Sequence, residues 1–133
     1  MSKKIVSALA LILICLVTLT ACGESTPIET SVIANEKYTT KEDIENAKQP
    51  EELSVDSDVY ANIYFIETPK GTKYTATWYL DGTEIKKEEK EMTSDMQGSI
   101  IYTLPKENVE NGTLKLEISS HDSVLLEKEI TVK

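Results

Sequence analysis

The chain has 133 residues, enough for one domain and a smaller additional segment. Its 23 acidic residues outnumber its 14 basic residues, all of them lysine, so the formal net charge is −9 and a basic nucleic-acid-binding surface is excluded. A hydrophobic content of 40% also excludes a disordered acidic tail, because such tails lack the apolar residues that a core needs.

The first 21 residues have the pattern of a signal peptide. Lys3 and Lys4 form a short positive region, and 17 uncharged, mostly apolar residues follow from Ile5 to Ala21. This run is shorter than the roughly 20 residues of a membrane-spanning helix. It ends in two small residues, as the segment before a signal-peptidase site does. We therefore predict that residues 1–21 are removed and that Cys22 begins the mature chain.

The residues at this predicted cleavage site, Leu19-Thr20-Ala21-Cys22, resemble the lipobox of bacterial lipoproteins. The resemblance implies that Cys22 is lipidated and anchors the protein to the outer face of the bacterial cytoplasmic membrane. Cys15, the only other cysteine, lies within the signal peptide, so the mature chain has no disulfide partner for Cys22. The alternatives are a secreted protein with a structural Cys22 and an uncleaved membrane anchor.

The charge of the mature chain bears on how it would meet the membrane. Removal of residues 1–21 takes away two lysines and no acid, which changes the net charge from −9 to −11. Attraction to anionic headgroups cannot support membrane binding by such a chain. Two acyl chains suffice for stable anchoring, so we expect the membrane contact to be the lipid alone.

Residues 22–55 are predicted to be a flexible acidic tether. They contain eight acids and three lysines, and their apolar residues are scattered without a period of 2 or 3.6. A short helix is indicated from an N-cap at Thr40 to about Gln49. Residues 31–34 are the one stretch able to add to a sheet edge. A coil of 33 residues spans about 30 Å on average, which would lift the domain off the membrane.

From residue 56 onward apolar and polar residues alternate, as they do in half-buried strands. Asp81-Gly82 is a strong hairpin signal, because both turn residues must accept positive φ. Trp78 lies mid-strand and is predicted to be the centre of the core. Six or seven strands with no long helical period predict an all-β antiparallel sandwich over residues 56–133.

This region resembles the immunoglobulin-like β-sandwich domains of bacterial cell-surface lipoproteins. The resemblance rests on the strand and turn from Ala76 to Gly82, on the strand from Ser99 to Leu104, and on a closing hairpin of residues 114–118 and 130–132. It covers about 78 of the 133 residues and implies a fold rather than an activity. The cysteine pair of antibody domains is absent, so Trp78 is expected to pack on aliphatic neighbours.

Three tyrosines form the candidate binding surface: Tyr60, Tyr64 and Tyr79. They lie on the strand faces opposite those assigned to the core. Tyrosine brings a large contact area with little loss of conformational entropy, and aromatic rings stack on sugars. The alternatives are that one row of tyrosines belongs to the core, or that the three make ordinary cross-strand pairs.

Catalytic and metal chemistry is not indicated. His121, the only histidine, sits beside Asp122 in a predicted turn, where adjacent residues do not converge on a nucleophile. Calcium would need several oxygen ligands, and no D-x-D-x-D-G loop contains the four candidate aspartates, Asp56, Asp58, Asp81 and Asp95. We therefore predict no catalytic residue, no metal site and no cofactor.

The sequence thus predicts a non-catalytic module, anchored through Cys22, that binds an envelope protein or a cell-wall glycan. The alternative is a structural or accessory domain of an envelope complex with no ligand pocket of its own. An exposed cluster of the three tyrosines would favour binding, and an evenly charged surface would favour the accessory role.

Overall fold

The computed structural model describes residues 26–133, which contain eight strands and one short α-helix. The strands are β1 (Ile28–Ala34), β2 (Glu52–Leu53), β3 (Val59–Thr68), β4 (Lys73–Leu80), β5 (Thr83–Glu91), β6 (Met96–Leu104), β7 (Gly112–Ser120) and β8 (Ser123–Val132). The helix, α1, is Lys41–Asn46, and a turn of 3-10 helix at Lys106–Asn108 follows β6. Six strands, β3 to β8, lie within residues 56–133, which confirms the all-β prediction for that range.

The core lies where the alternating apolar faces of β3 and β4 meet. Trp78 is fully buried, at 0% exposure, in one cluster with residues from both sheets. Phe65 of β3 stacks on Tyr74 of β4 with ring centroids 4.2 Å apart, which joins the two sheets at one end. The prediction that Trp78 is the centre of the core is therefore confirmed.

Two sheets form the sandwich. The three-stranded sheet has the order β1-β3-β6, and the five-stranded sheet has the order β2-β8-β7-β4-β5. All pairs are antiparallel except the short β2–β8 pair. The sequence of neighbours β8-β7-β4-β5 in one sheet and β1-β3-β6 in the other is the G-F-C-C′ and A-B-E arrangement of immunoglobulin-like sandwiches. The predicted fold class is confirmed.

The Asp81-Gly82 turn closes the β4–β5 hairpin as the sequence predicted. Asp81 has φ 49° and Gly82 has φ 88°, so both residues are in the left-handed region that a two-residue hairpin turn requires. The space around an added Gly82 side chain is empty, so its role is conformational. The turn sets β5 beside β4 at the edge of the five-stranded sheet.

Residues 28–55 are part of the folded domain, which corrects the prediction that 22–55 is a tether and that the domain begins at 56. β1 pairs with β3 from Ile28 to Ala34, and β2 pairs with the end of β8. Helix α1 begins after the predicted N-cap, where the Thr40 hydroxyl accepts from the Asp43 N–H at 3.1 Å. Ile44 of α1 is 1% exposed and packs on Val32 and Ala34, so the helix covers the outer face of β1.

Side-chain amides fasten this N-terminal segment to the sandwich. The fully buried Asn62 of β3 accepts from the Tyr38 N–H at 2.8 Å and donates to the Glu36 carbonyl at 3.0 Å and the Val32 carbonyl at 3.3 Å. Gln49 pairs with both backbone groups of Ile33, at 2.9 and 2.7 Å, in place of a neighbouring strand. The segment is thus held by specific hydrogen bonds as well as by apolar burial.

Three lysine ammonium groups of the five-stranded sheet donate to carbonyls of the three-stranded sheet. The pairs are Lys86 with Thr103 at 2.8 Å, Lys90 with Ile101 at 2.8 Å and Lys128 with Ser31 at 2.9 Å. The first two carbonyls belong to β6 and the third to β1, which are the two edge strands of that sheet. These lysines therefore occupy hydrogen-bond acceptors that a foreign strand would use. Burial lowers the pKa of Lys128.

Candidate functional site

The predicted lipidation site, Cys22, lies outside the described residues, as do the signal peptide and its cleavage site. Within residues 26–133, no helix is long and apolar enough to cross a membrane. The anchoring of the chain therefore stays a prediction from its sequence.

Tyr60 and Tyr64 lie on the outer face of the three-stranded sheet, and both are half-buried. The Lys37 ammonium lies 5.4 Å from the Tyr60 ring centroid, and the Tyr60 hydroxyl donates to Asp58 at 3.3 Å. Burial raises the pKa of the Tyr60 phenol, and the Asp58 carboxylate adds to that shift. Within the described structure this ring already has a cationic partner and a hydrogen-bond acceptor.

Tyr64 is covered by the N-terminal segment. Its ring packs against the cluster formed by β1 and α1, and the Lys41 ammonium lies 5.8 Å from its centroid. Lys41 in turn forms an ion pair with Glu29 at 2.9 Å, and the hydrogen bond to Glu29 raises the pKa of Lys41. Tyr64 therefore contributes to the packing of α1 onto the sheet.

Tyr79 lies on the outer face of the other sheet. The inward residues of β3 and β4 meet in the core, so Tyr60 and Tyr64 face one side of the sandwich and Tyr79 faces the opposite side. The three tyrosines do not form one exposed cluster. Tyr79 is the member of the predicted set that lines a cavity.

This cavity, which we call the Tyr79 cleft, has a volume of about 370 Å³ and opens on the outer face of the five-stranded sheet. Its lining residues are Tyr79, Asp81, Gly82, Thr113, Lys115 and Glu129. The cleft arises because β7 lies between β4 and β8, so that Tyr79 pairs with Lys115 and Lys115 pairs with Glu129 across neighbouring strands. One aromatic ring, one ammonium and two carboxylates thereby meet on an otherwise polar face.

Hydrogen bonds fix the turn side of the cleft. The Asp81 N–H donates to the Thr113 carbonyl at 2.9 Å, and the Thr113 N–H donates to Asp81 Oδ1 at 2.9 Å. The Lys115 ammonium lies 4.9 Å from the Tyr79 ring centroid and 3.9 Å from Glu117. The Asp81 carboxylate is thus held in place, and the Lys115 ammonium contacts the Tyr79 ring and Glu117 at the same time.

Three lining residues of the cleft were not predicted from the sequence: Thr113, Lys115 and Glu129. Alternation predicts that they point outward from their strands, but it does not say which strands are neighbours. Tyr79 and Lys115 are 36 positions apart and meet only because β4 pairs with β7. Strand order was the missing information.

The aspartates considered as calcium ligands are dispersed. Asp58 accepts from the Lys106 N–H at 2.8 Å, Asp95 accepts from the Lys70 N–H at 3.1 Å, and Asp81 serves the turn described above. Within residues 26–133, no three His, Cys, Asp or Glu side chains are placed to hold a metal ion together. His121 has φ 56° and occupies the turn between β7 and β8.

No protein-family profile and no curated protein sequence matches this chain. An immunoglobulin-like protein from Pseudomonas aeruginosa is similar in structure, with 16% identity, a TM-score of 0.48, and coverage of 84% of this chain and 100% of the other. The CARDB domain of a Pyrococcus furiosus protein, in complex with di-metal ions, has 10% identity, a TM-score of 0.41 and coverage of 83% and 95%.

A β-glucosidase from Listeria innocua, in complex with glucose, is also similar, with 10% identity and a TM-score of 0.47. The match covers 62% of this chain but spans only 15% of the β-glucosidase. At such identities these similarities concern the fold and carry no information about a site.

Proposed function

We propose that this protein is a lipid-anchored, non-catalytic binding module on the outer face of the bacterial cytoplasmic membrane. Its partner is an envelope protein or a cell-wall glycan. The lipobox-like residues 19–22 support the anchor, because they follow a positive region and an apolar run and place a cysteine at the predicted cleavage site. The Tyr79 cleft supports the binding role, since it places the half-buried Tyr79 ring in a cavity with one ammonium and two carboxylates.

The alternative is an accessory domain of an envelope complex that has no ligand pocket of its own. Its support is that the Tyr60 hydroxyl donates to Asp58 and that the Tyr64 ring packs against the cluster of β1 and α1. The Tyr79 cleft favours the binding role over this alternative, because it gathers an aromatic ring, an ammonium and two carboxylates in one cavity.

Replacement of Cys22 tests the anchor. Cys22→Ala is expected to abolish incorporation of a labelled fatty acid and to leave the precursor unprocessed or released from the membrane fraction. Cys15→Ala is the matched control, because it changes the other cysteine of the apolar run and is expected to keep full labelling. Fatty-acid labelling of the Cys22→Ala protein would refute the anchor.

Capture of partners from the envelope separates the two roles. The full-length protein in detergent is mixed with solubilised envelope protein and, separately, with purified cell-wall glycan. The binding role predicts retention that Tyr79→Ala reduces and that Tyr60→Ala leaves unchanged. Retention of an envelope protein equally well by both variants would favour the accessory role.

A further inference from the structure

The Tyr79 cleft combines an aromatic face with both hydrogen-bond donors and hydrogen-bond acceptors in its lining. The donors are the Lys115 ammonium and the Thr113 hydroxyl, and the acceptors are the carboxylates of Asp81 and Glu129. We propose that the cleft binds one pyranose ring of a neutral carbohydrate. This inference rests on the proposed binding function and specifies the chemistry of the ligand.

The aromatic ring matches one face of a sugar. The ring carbons of a pyranose present a face of C–H groups, and the negative face of the Tyr79 π-system attracts such positively polarised hydrogens. In the free protein the Lys115 ammonium lies over this ring. An exposed cation–π contact of this type is worth only about 0.5–1 kcal/mol, so a sugar can displace the ammonium from the ring face while Lys115 keeps its contact with Glu117.

The polar rim matches the hydroxyl groups. Each sugar hydroxyl both donates and accepts, so a site for a sugar needs both kinds of partner around the ring. Asp81 uses Oδ1 for the Thr113 N–H, which leaves Oδ2 to accept from a ligand. Glu129 is exposed and stands across Lys115 from Tyr79, so acceptors lie on two sides of the ring.

The charge of the cleft favours a neutral ligand. Two carboxylates and one ammonium give the lining a net negative charge, and the whole chain is acidic with a formal charge of −9. An anionic sugar would meet repulsion on approach and inside the cleft. A cationic ligand would compete with Lys115, which already occupies the ring face.

The size and openness of the cleft suit one ring within a longer chain. A volume of about 370 Å³ lies at the lower end of the roughly 300–1,000 Å³ usual for small-molecule sites. Gly82 forms part of the rim and has open space where a side chain would stand. A glycan can therefore continue from the bound ring past the Asp81-Gly82 turn.

Saturation-transfer difference NMR on the full-length protein in detergent tests the inference. The probes are chitotriose, cellotriose and maltotriose, with trigalacturonic acid as the anionic comparison. At least one neutral trisaccharide is expected to bind with a dissociation constant on the order of 1 mM, because an open cleft covers only one face of a ring. Trigalacturonic acid is expected to bind at least threefold more weakly.

Four variants locate the binding. Tyr79→Ala is expected to weaken binding at least tenfold, and Tyr79→Phe, which keeps the ring, to stay within about threefold of the wild type. Glu129→Gln, at an exposed position, is expected to weaken binding about threefold while keeping the fold. Tyr60→Ala is the matched control on the opposite face and is expected to bind as the wild type does.

The inference is overturned if no neutral trisaccharide binds at 10 mM, if trigalacturonic acid binds more tightly, or if Tyr79→Ala and Glu129→Gln both bind like the wild type. Sedimentation with insoluble cell-wall glycan distinguishes the source of the sugar. Binding to a trisaccharide without sedimentation would support the cleft as a sugar site but contradict a wall glycan as its natural partner. The fatty-acid labelling of Cys22 tests the anchor alone, so its outcome leaves the sugar-binding inference unaffected.

Discussion

Asn62→Asp tests whether the N-terminal segment is held to the sandwich as the structure shows. The new carboxylate would still accept from the Tyr38 N–H, but it could no longer donate to the carbonyls of Val32 and Glu36. The buried Val32 carbonyl and the new carboxylate would then face each other without a donor between them, whereas the Glu36 carbonyl belongs to an exposed residue that water can reach. Each unsatisfied buried group costs about 1–3 kcal/mol, so we expect a loss of about 2–6 kcal/mol.

This loss is a large part of the roughly 5–15 kcal/mol that stabilises a domain of this size. At roughly 4 °C for each kcal/mol, the melting temperature is expected to fall by at least 8 °C. Urea unfolding followed by circular dichroism at pH 7 measures the free energy directly. Asn111→Asp is the matched control, because it introduces the same charge at an exposed position and is expected to leave stability unchanged.

The pH dependence provides a second check. Burial raises the pKa of the introduced carboxyl above its ordinary value of about 3.9. Its penalty is therefore small at pH 3.5, where the group is protonated and can donate one hydrogen bond, and grows as the pH rises through the raised pKa. The control Asn111→Asp should melt within about 3 °C of the wild type at pH 7. If Asn62→Asp does so too, the role given to Asn62 is refuted.

Two further predictions concern the core. Trp78→Ala is expected to lower the free energy of unfolding in urea by about 3–5 kcal/mol, because Trp78 is fully buried. Trp78→Phe should lower it clearly less, because the indole N–H that it removes has no hydrogen-bond partner among the described residues. Equal losses for the two variants would contradict this. Burial raises the pKa of the Tyr102 phenol, with the Glu88 carboxylate acting in the same direction. Above pH 10 the unfolded chain therefore releases a proton that the folded chain keeps, and the free energy of unfolding should fall by up to about 1.4 kcal/mol per pH unit. Tyr102→Phe should reduce this slope in urea titrations between about pH 9 and 11.5, and an unchanged slope would show that other groups cause it.

The sequence predicted the strands whose outward residues are polar or amphipathic. β4 and β7 alternate because their inward residues are apolar and buried in the core while most outward residues are only partly buried, and this produces a period of 2. The hairpin at Asp81-Gly82 and the N-cap at Thr40 were predicted for a similar reason, since each depends on local backbone geometry. Each of these features is determined by residues that are adjacent in the sequence.

β1 was predicted only in part, as a possible edge strand at residues 31–34, because its second half is buried on both faces. Val32, Ile33 and Ala34 are consecutive and all buried, with Ile33 in the sandwich core and the other two under α1. Three adjacent apolar residues show no alternation, so the segment resembled a coil with scattered apolar groups. The covering helix has a single buried residue, Ile44, which is too little for a helical period.

The Tyr79 cleft was missed for a different reason. Its members come from three strands that are distant in sequence, and the pairing of β4 with β7 and of β7 with β8 brings them together. Periodicity assigns a side chain to a face but does not assign it a neighbour on the next strand. Tyr79 could be proposed from its residue type alone, whereas Lys115 and Glu129 could not.

The position at which β1 joins its sheet has a consequence for how the domain would stand on a membrane. Ile28 lies opposite Phe65, at the end of the sandwich where Phe65 stacks on Tyr74. Six peptide units separate Cys22 from Ile28, a reach of about 20 Å at most. Tyr79 is five residues beyond Tyr74, roughly 17 Å further along β4. An acyl group on Cys22 would therefore hold the Ile28 end of the domain within about 20 Å of the bilayer. The Tyr79 cleft would then lie toward the end of the domain that is farther from the attachment point.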